Sequence, residues 1–180
     1  PARAGEGSLE LSPGSTIVAG LHRDQELPSV PLVFTHYLRT SPTAASLGSF
    51  RLLETSHAGR APGWLEEAVR AHGELNDSGI LLFVQYDPWV ATSFSSALVA
   101  DRWYRVEIVY DQPRNVHAGR VDDGPFSAAV GDFDGSGLPV RSFAIEGEGQ
   151  GGTFHVDNYI IRLHVDPPPV VTLGAVERAP

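Results

Sequence analysis

The segment Asp132-Phe-Asp-Gly-Ser-Gly137 carries oxygen-bearing side chains at alternate positions, with glycines that permit a tight turn. Oxygens converging in this way suit a hard cation, so Asp132, Asp134 and Ser136 are candidate calcium ligands. The same residues also make a plain Asp/Gly turn whose side chains bond their own backbone. A second kind of chemistry is carbohydrate recognition, in which an exposed aromatic ring stacks on a sugar face and nearby amides or carboxylates reach the hydroxyls. Trp89, Trp64 and Tyr37 are the candidates, and each also fits core or loop packing. Trp103 opens an alternating strand and reads as a packing residue.

No catalytic set stands out. There is no Gly-x-Ser-x-Gly elbow, no His-Glu-x-x-His, no phosphate-cradling loop ending in Lys-Ser or Lys-Thr, and no dinucleotide fingerprint. The 7 His residues are spaced in no metal-binding pattern. Glu66-Glu67 is an adjacent pair that would point to different faces of a helix. The expectation is a chain that binds rather than catalyses.

These residues must be positioned by strands. With 19 Gly and 14 Pro spread along the chain, helix-breaking residues recur every few positions and leave room mainly for short strands and turns. Apolar or alternating runs occur at Ser15–Ala19, Pro31–Leu38, Ser49–Leu53, Gly79–Tyr86, Trp103–Tyr110 and Thr153–Val165. In Trp103–Tyr110, residues Tyr104, Val106, Ile108 and Tyr110 share one face while Arg105 and Glu107 take the other. Within Thr153–Val165, Phe154 and Val156 are out of phase with Tyr159, Ile161, Leu163 and Val165. A β-bulge at Asp157-Asn158 is therefore predicted, with that pair in a structural hydrogen-bonding role. Asp122-Asp123, beside Gly124-Pro125, reads as a hairpin turn that could also lend charge to a cation site. One segment, Gly63–His72, places Leu65, Ala68, Val69 and His72 at helical spacing before Gly73 and predicts about two turns of helix on a loop.

A chain of 180 residues is long enough for one core, and its 42% apolar and 19% charged content excludes disorder. The balance of 13 basic against 22 acidic residues, a net charge of −9, disfavours nucleic acid and anionic lipid as partners. The absence of Cys removes disulfides and thiolate chemistry. The absence of Met fits a processed or trimmed form of a longer precursor, as removal of a secretory signal would leave. No apolar run is long enough to span a membrane as a helix. The expected organisation is an arm over 1–7, an all-β two-sheet antiparallel jelly-roll sandwich over 8–165, and a proline-rich tail over 166–180.

Asp101-Arg-Trp-Tyr-Arg-Val-Glu-Ile-Val-Tyr-Asp111, followed by Gly152-Thr-Phe-His-Val-Asp-Asn-Tyr-Ile-Ile-Arg162, resembles the closing strands of laminin-G-like domains in the concanavalin A-like jelly-roll superfamily. Gly48–Leu53 lies upstream as in that layout. The 132–137 loop resembles the start of an EF-hand loop and the loop of integrin-type repeats, but Phe143 and Val140 stand where each expects its final acidic ligand. The resemblance implies a secreted, extracellular module that recognises a glycan or an extracellular protein, with calcium as a possible support. An alternative is a self-assembling subunit of a filament, sheath or coat, in which Ser8–Leu11 and Ser15–Ala19 pair with a neighbour's sheet edge. A polysaccharide-degrading enzyme is the third reading, and it would require carboxylates grouped in one groove.

Overall fold

The computed structural model describes residues 9–11, 16–20, 30–40, 48–54, 69–76, 78–85, 90–131, 140–146 and 154–163. Its strands begin with β1 (Leu9–Leu11), β2 (Thr16–Gly20), β3 (Leu32–Thr40), β4 (Gly48–Glu54), β5 (Val69–Leu75) and β6 (Leu81–Gln85). They continue with β7 (Val90–Ser93), β8 (Trp103–Asp111), β9 (Val116–Val121), β10 (Val130–Gly131), β11 (Val140–Glu146) and β12 (Phe154–Leu163). One antiparallel sheet runs β1-β12-β3-β8-β9-β10 and the other β2-β11-β4-β5-β6-β7. The chain is an all-β, two-sheet jelly-roll sandwich.

Alternation along the strands explains this architecture. In β8, Tyr104, Val106, Ile108 and Tyr110 are all buried, as are Leu32, Phe34 and Leu38 of β3, which lie on the same side of their sheet. They meet Ala71, Leu75, Leu81, Phe83 and Ile145 of the second sheet in one apolar cluster. Polar turn residues end the strands. Asp101, Asn115 and Asp122 beside the strands, and Asn158 within β12, take φ near +50° to +60°, where Asn and Asp are tolerated because their short side chains bond locally. Asp111 caps a single 3-10 turn, Gln112–Arg114, by accepting the Arg114 N–H at 3.3 Å.

The predicted bulge is present. The β12–β3 register shifts between Asp157 and Ile160, and Asp157 Oδ1 accepts the Asn158 N–H at 2.7 Å. The helix reading is corrected for its second half, because Val69–Leu75 is a strand paired with β4 and β6. Ala71 and Leu75 join the apolar core with Gly73 buried between them, and neighbouring strands satisfy the backbone, which outweighs local helical spacing. Residues 63–68 lie outside the described set. The N-terminal pairing segments are also reassigned. β1 pairs with this chain's own β12 and β2 with its own β11, so these strands complete the two sheets internally.

Gly119 on β9 is a point of close approach. A Cβ there would sit 2.8–2.9 Å from ring carbons of Phe94 and Phe83, whose rings stack at 4.5 Å. Gly119→Ala is expected to destabilise the fold by about 1–3 kcal/mol through overpacking. The check is a lower urea midpoint at unchanged slope, and an unaltered midpoint would show that the rings move aside freely.

Candidate binding face

The face of the first sheet turned away from the core carries the unusual chemistry. Register alone brings its residues together: Thr35 lies opposite Glu107, Tyr37 opposite Arg105, and Arg39 opposite Trp103. On the outer side of β3, Asp157 pairs with Tyr37, His155 with Arg39, and Ile160 with Thr35. On the outer side of β8, Arg120 of β9 lies opposite Glu107. Side chains at directly opposed positions point to the same side, so these residues share one surface across four strands.

Glu107 is the centre of that surface, and at 5% exposure it is a carboxylate taken out of water. Its Oε2 accepts the Arg120 Nε–H at 2.6 Å, and its Oε1 faces an Arg162 Nη2 at 3.2 Å. The same Arg162 nitrogen donates to Thr35 Oγ1 at 3.0 Å. Arg105 Nη2 lies 3.8 Å from Glu107 Oε2 and donates to Asp123 Oδ1 at 2.7 Å. Partial burial opposes the Arg105 charge, but the Asp123 hydrogen bond and the carboxylates of Glu107 and Asp123 outweigh it and raise its pKa. A buried carboxylate survives only when paired and hydrogen-bonded, and here it orients guanidinium groups that remain partly in solvent. The side chains of Arg105 and Arg120 are 31% exposed and that of Arg162 is 56% exposed.

Aromatic rings flank the cluster. The Arg39 guanidinium lies 5.2 Å from the centre of the Trp103 ring, and His155 meets that ring edge-on at 6.5 Å. On the other side the Arg120 guanidinium lies 4.5 Å from the centre of the Phe126 ring. Phe126 also lines a cavity of about 430 Å³ with Phe94, Leu98, Tyr104 and Val121.

Of the residues singled out in the sequence, Tyr37 lies half-buried on this face. Trp89, Trp64, Asp132, Asp134 and Ser136 lie outside the described residues. Asp122-Asp123 form the turn after β9, where Asp122 Oδ1 accepts the Arg105 N–H at 3.0 Å and Gly124 N–H reaches Val121 O at 3.1 Å. Trp103 is half-buried on the outer face rather than packed in the core, since it alternates with buried Tyr104. Arg105, Glu107, Arg120 and Arg162 form no local motif in the sequence. Their signal was present in part, because Glu107 is an acidic residue at the middle of the most regular strand.

No family model and no curated protein sequence matches the chain. Solved structures do resemble it in fold. A Caenorhabditis elegans galectin matches with a TM-score of 0.53 and 16% identity, over 85% of this chain and 95% of that one. The cellulose-induced protein Cip1 matches with a TM-score of 0.54 and 12% identity, over 90% and 82% of the two chains. A sialidase gives a TM-score of 0.60 at 11% identity over 88% of this chain, which spans only 15% of the sialidase's length. At these identities the likeness concerns the two-sheet β-sandwich fold, and function must be argued from the site.

Proposed function

We propose that this jelly roll is a non-catalytic module that recognises a carbohydrate across the outer face of its first sheet. The observation that carries the proposal is Glu107, a buried carboxylate holding Arg120 and Arg162 in place on the surface that also carries Tyr37 and, four residues back along β8, Trp103. Fixed donors and aromatic rings on one face match what a saccharide offers, apolar ring faces bordered by hydroxyl oxygens. Orientation by a buried partner lowers the ordering cost of the long arginine side chains on binding. The galectin likeness supports the reading as an analogy of fold.

A glycan array tests it, with the chain probed in calcium buffer and again in chelator. Binding to a defined subset of glycans is the expected result, and a blank array in both buffers overturns the proposal. Trp103→Ala is expected to weaken the strongest hit about fivefold or more, since stacking on an aromatic is worth on the order of 1 kcal/mol or above. Its thermal midpoint should move little, because Trp103 lies outside the core cluster. Calcium at Asp132, Asp134 and Ser136 is part of the same proposal. It stands if the chelator weakens the signal and added calcium restores it, and falls if the two arrays agree. We further infer an extracellular setting, supported by the motif resemblance to laminin-G-like domains, which cell fractionation with an antibody to this chain would check.

A further inference from the structure

The arrangement at Glu107 points to a charge on the ligand. Arg120 and Arg162 approach opposite oxygens of one carboxylate, which also lies 3.8 Å from Arg105, itself paired with Asp123. Among the described residues no second carboxylate bonds either guanidinium. Arg120 spends its Nε edge on Glu107, and Arg162 spends one terminal nitrogen on Glu107 and Thr35. Each arginine has five N–H donors in a planar fork, so each keeps donors pointing away from Glu107. Arg120 reaches Glu107 from β9 and Arg162 reaches it from β12, so their spare donors lie along one stretch of the outer face. Four residues along β3 from Thr35 on the same face, the buried Nε of Arg39 has no hydrogen-bond partner among the described residues. The face carries Arg39, Arg105, Arg120 and Arg162 against Glu107, Asp123 and Asp157, in a chain of net charge −9 whose 13 basic residues are all Arg.

We infer that the ligand is an acidic saccharide whose carboxylate or sulfate is received between Arg120 and Arg162, opposite Glu107. This inference rests on the carbohydrate reading above and names the ligand class for the same surface. A planar or tetrahedral oxyanion accepts paired N–H bonds from guanidinium groups, which a neutral hydroxyl cannot do. Glu107 is then a positioning residue: it orients the two arginines, and its own charge keeps them together while the site is empty. Glu107 would also repel an anion held against it directly, so the ligand oxygens are received on the guanidinium edges turned away from it.

The test is an array of matched pairs: uronic-acid oligosaccharides beside their carboxyl-reduced forms, and sulfated oligosaccharides beside their desulfated forms. At least tenfold preference for one acidic series is expected, and the series that binds separates carboxylate from sulfate. Arg162→Gln, at a half-exposed position that spares the fold, should reduce acidic binding to the level of the neutral partner. Arg114→Gln removes the same charge from the 3-10 turn, outside the cluster, and should leave binding intact. Equal affinity for acidic and neutral partners overturns the inference while the carbohydrate reading stands. Equal losses in the two variants also overturn it, because the effect is then one of net charge. No binding by any member of any pair overturns both.

Discussion

Glu107→Gln is expected to lower the unfolding free energy by about 3 kcal/mol, the low end of the cost of breaking a buried ion pair. The carboxylate is nearly excluded from water while Arg120 Nε, at 2.6 Å, depends on it for an acceptor. Glutamine fills the same volume but presents one oxygen and an amide that is itself a donor. It can satisfy Arg120 or Arg162, and the other guanidinium is left facing N–H groups across a short gap. The low end applies because Arg162 is half-exposed and can turn to solvent. Urea unfolding at pH 7 measures the change. The double variant Glu107→Gln/Arg162→Gln should recover part of the loss, since one cation no longer needs compensation. A single-variant change below about 1 kcal/mol would show that the cluster is solvated and not held by its carboxylate. In ligand assays the same variant should lose binding even where the fold persists, because the arginines lose their common anchor.

Acid is expected to be the largest perturbation of all. His36 and His117 project into the sandwich interior at 3% and 1% exposure. Burial pushes their pKa values down from 6.5 to about 4 and about 3. The His117 ring meets Phe83 edge-on at 4.5 Å, and neither of its buried nitrogens has a hydrogen-bond partner among the described residues. In the unfolded chain both imidazoles take up a proton near pH 6.5; in the folded chain they resist until about pH 4 and about pH 3. Between those limits the unfolded state binds more protons, so stability falls as pH falls, and above pH 6.5 neither group contributes. Each histidine adds a slope of about 1.4 kcal/mol per pH unit, and together they remove about 6 kcal/mol by pH 4. That is comparable with the whole stability of a typical domain, about 5–15 kcal/mol. Urea midpoints between pH 6 and pH 5 isolate the effect, because most carboxylates remain ionised there. A steep decline is expected, and His117→Leu should remove about half of the slope. Identical midpoints across that interval would mean that the two imidazoles are not buried as neutral groups.

How far the sequence carried the molecule is clearest in β8 and β12. Alternation in Trp103–Tyr110 assigned the core face correctly, because a half-buried strand shows its burial in a period of two. The phase change at Asp157-Asn158 located the bulge for the same reason, since one extra residue exchanges the two faces. Gly63–His72 misled because Leu65, Ala68 and Val69 satisfy a helical spacing. The competing alternation of Ala71, Gly73 and Leu75 has a glycine in place of an apolar side chain. Trp103 misled differently, through the assumption that an aromatic opening a core strand faces the core. Its neighbour Tyr104 does so, and adjacent strand residues point to opposite sides.

The sequence by itself determined the class of the protein: short alternating strands, turn residues tolerant of positive φ, no thiol chemistry and an acidic surface. These are local or compositional properties, and each is expressed within a few residues. Only the tertiary structure decided the binding face. Glu107 is 13 residues from Arg120 and 55 from Arg162, and no local pattern links them. Their meeting follows from strand order and register, which place β9 beside β8 and bring β12 alongside β3, with β3 next to β8. Register is set by burying one face of the whole sheet at once, so the opposite face is assembled as its consequence.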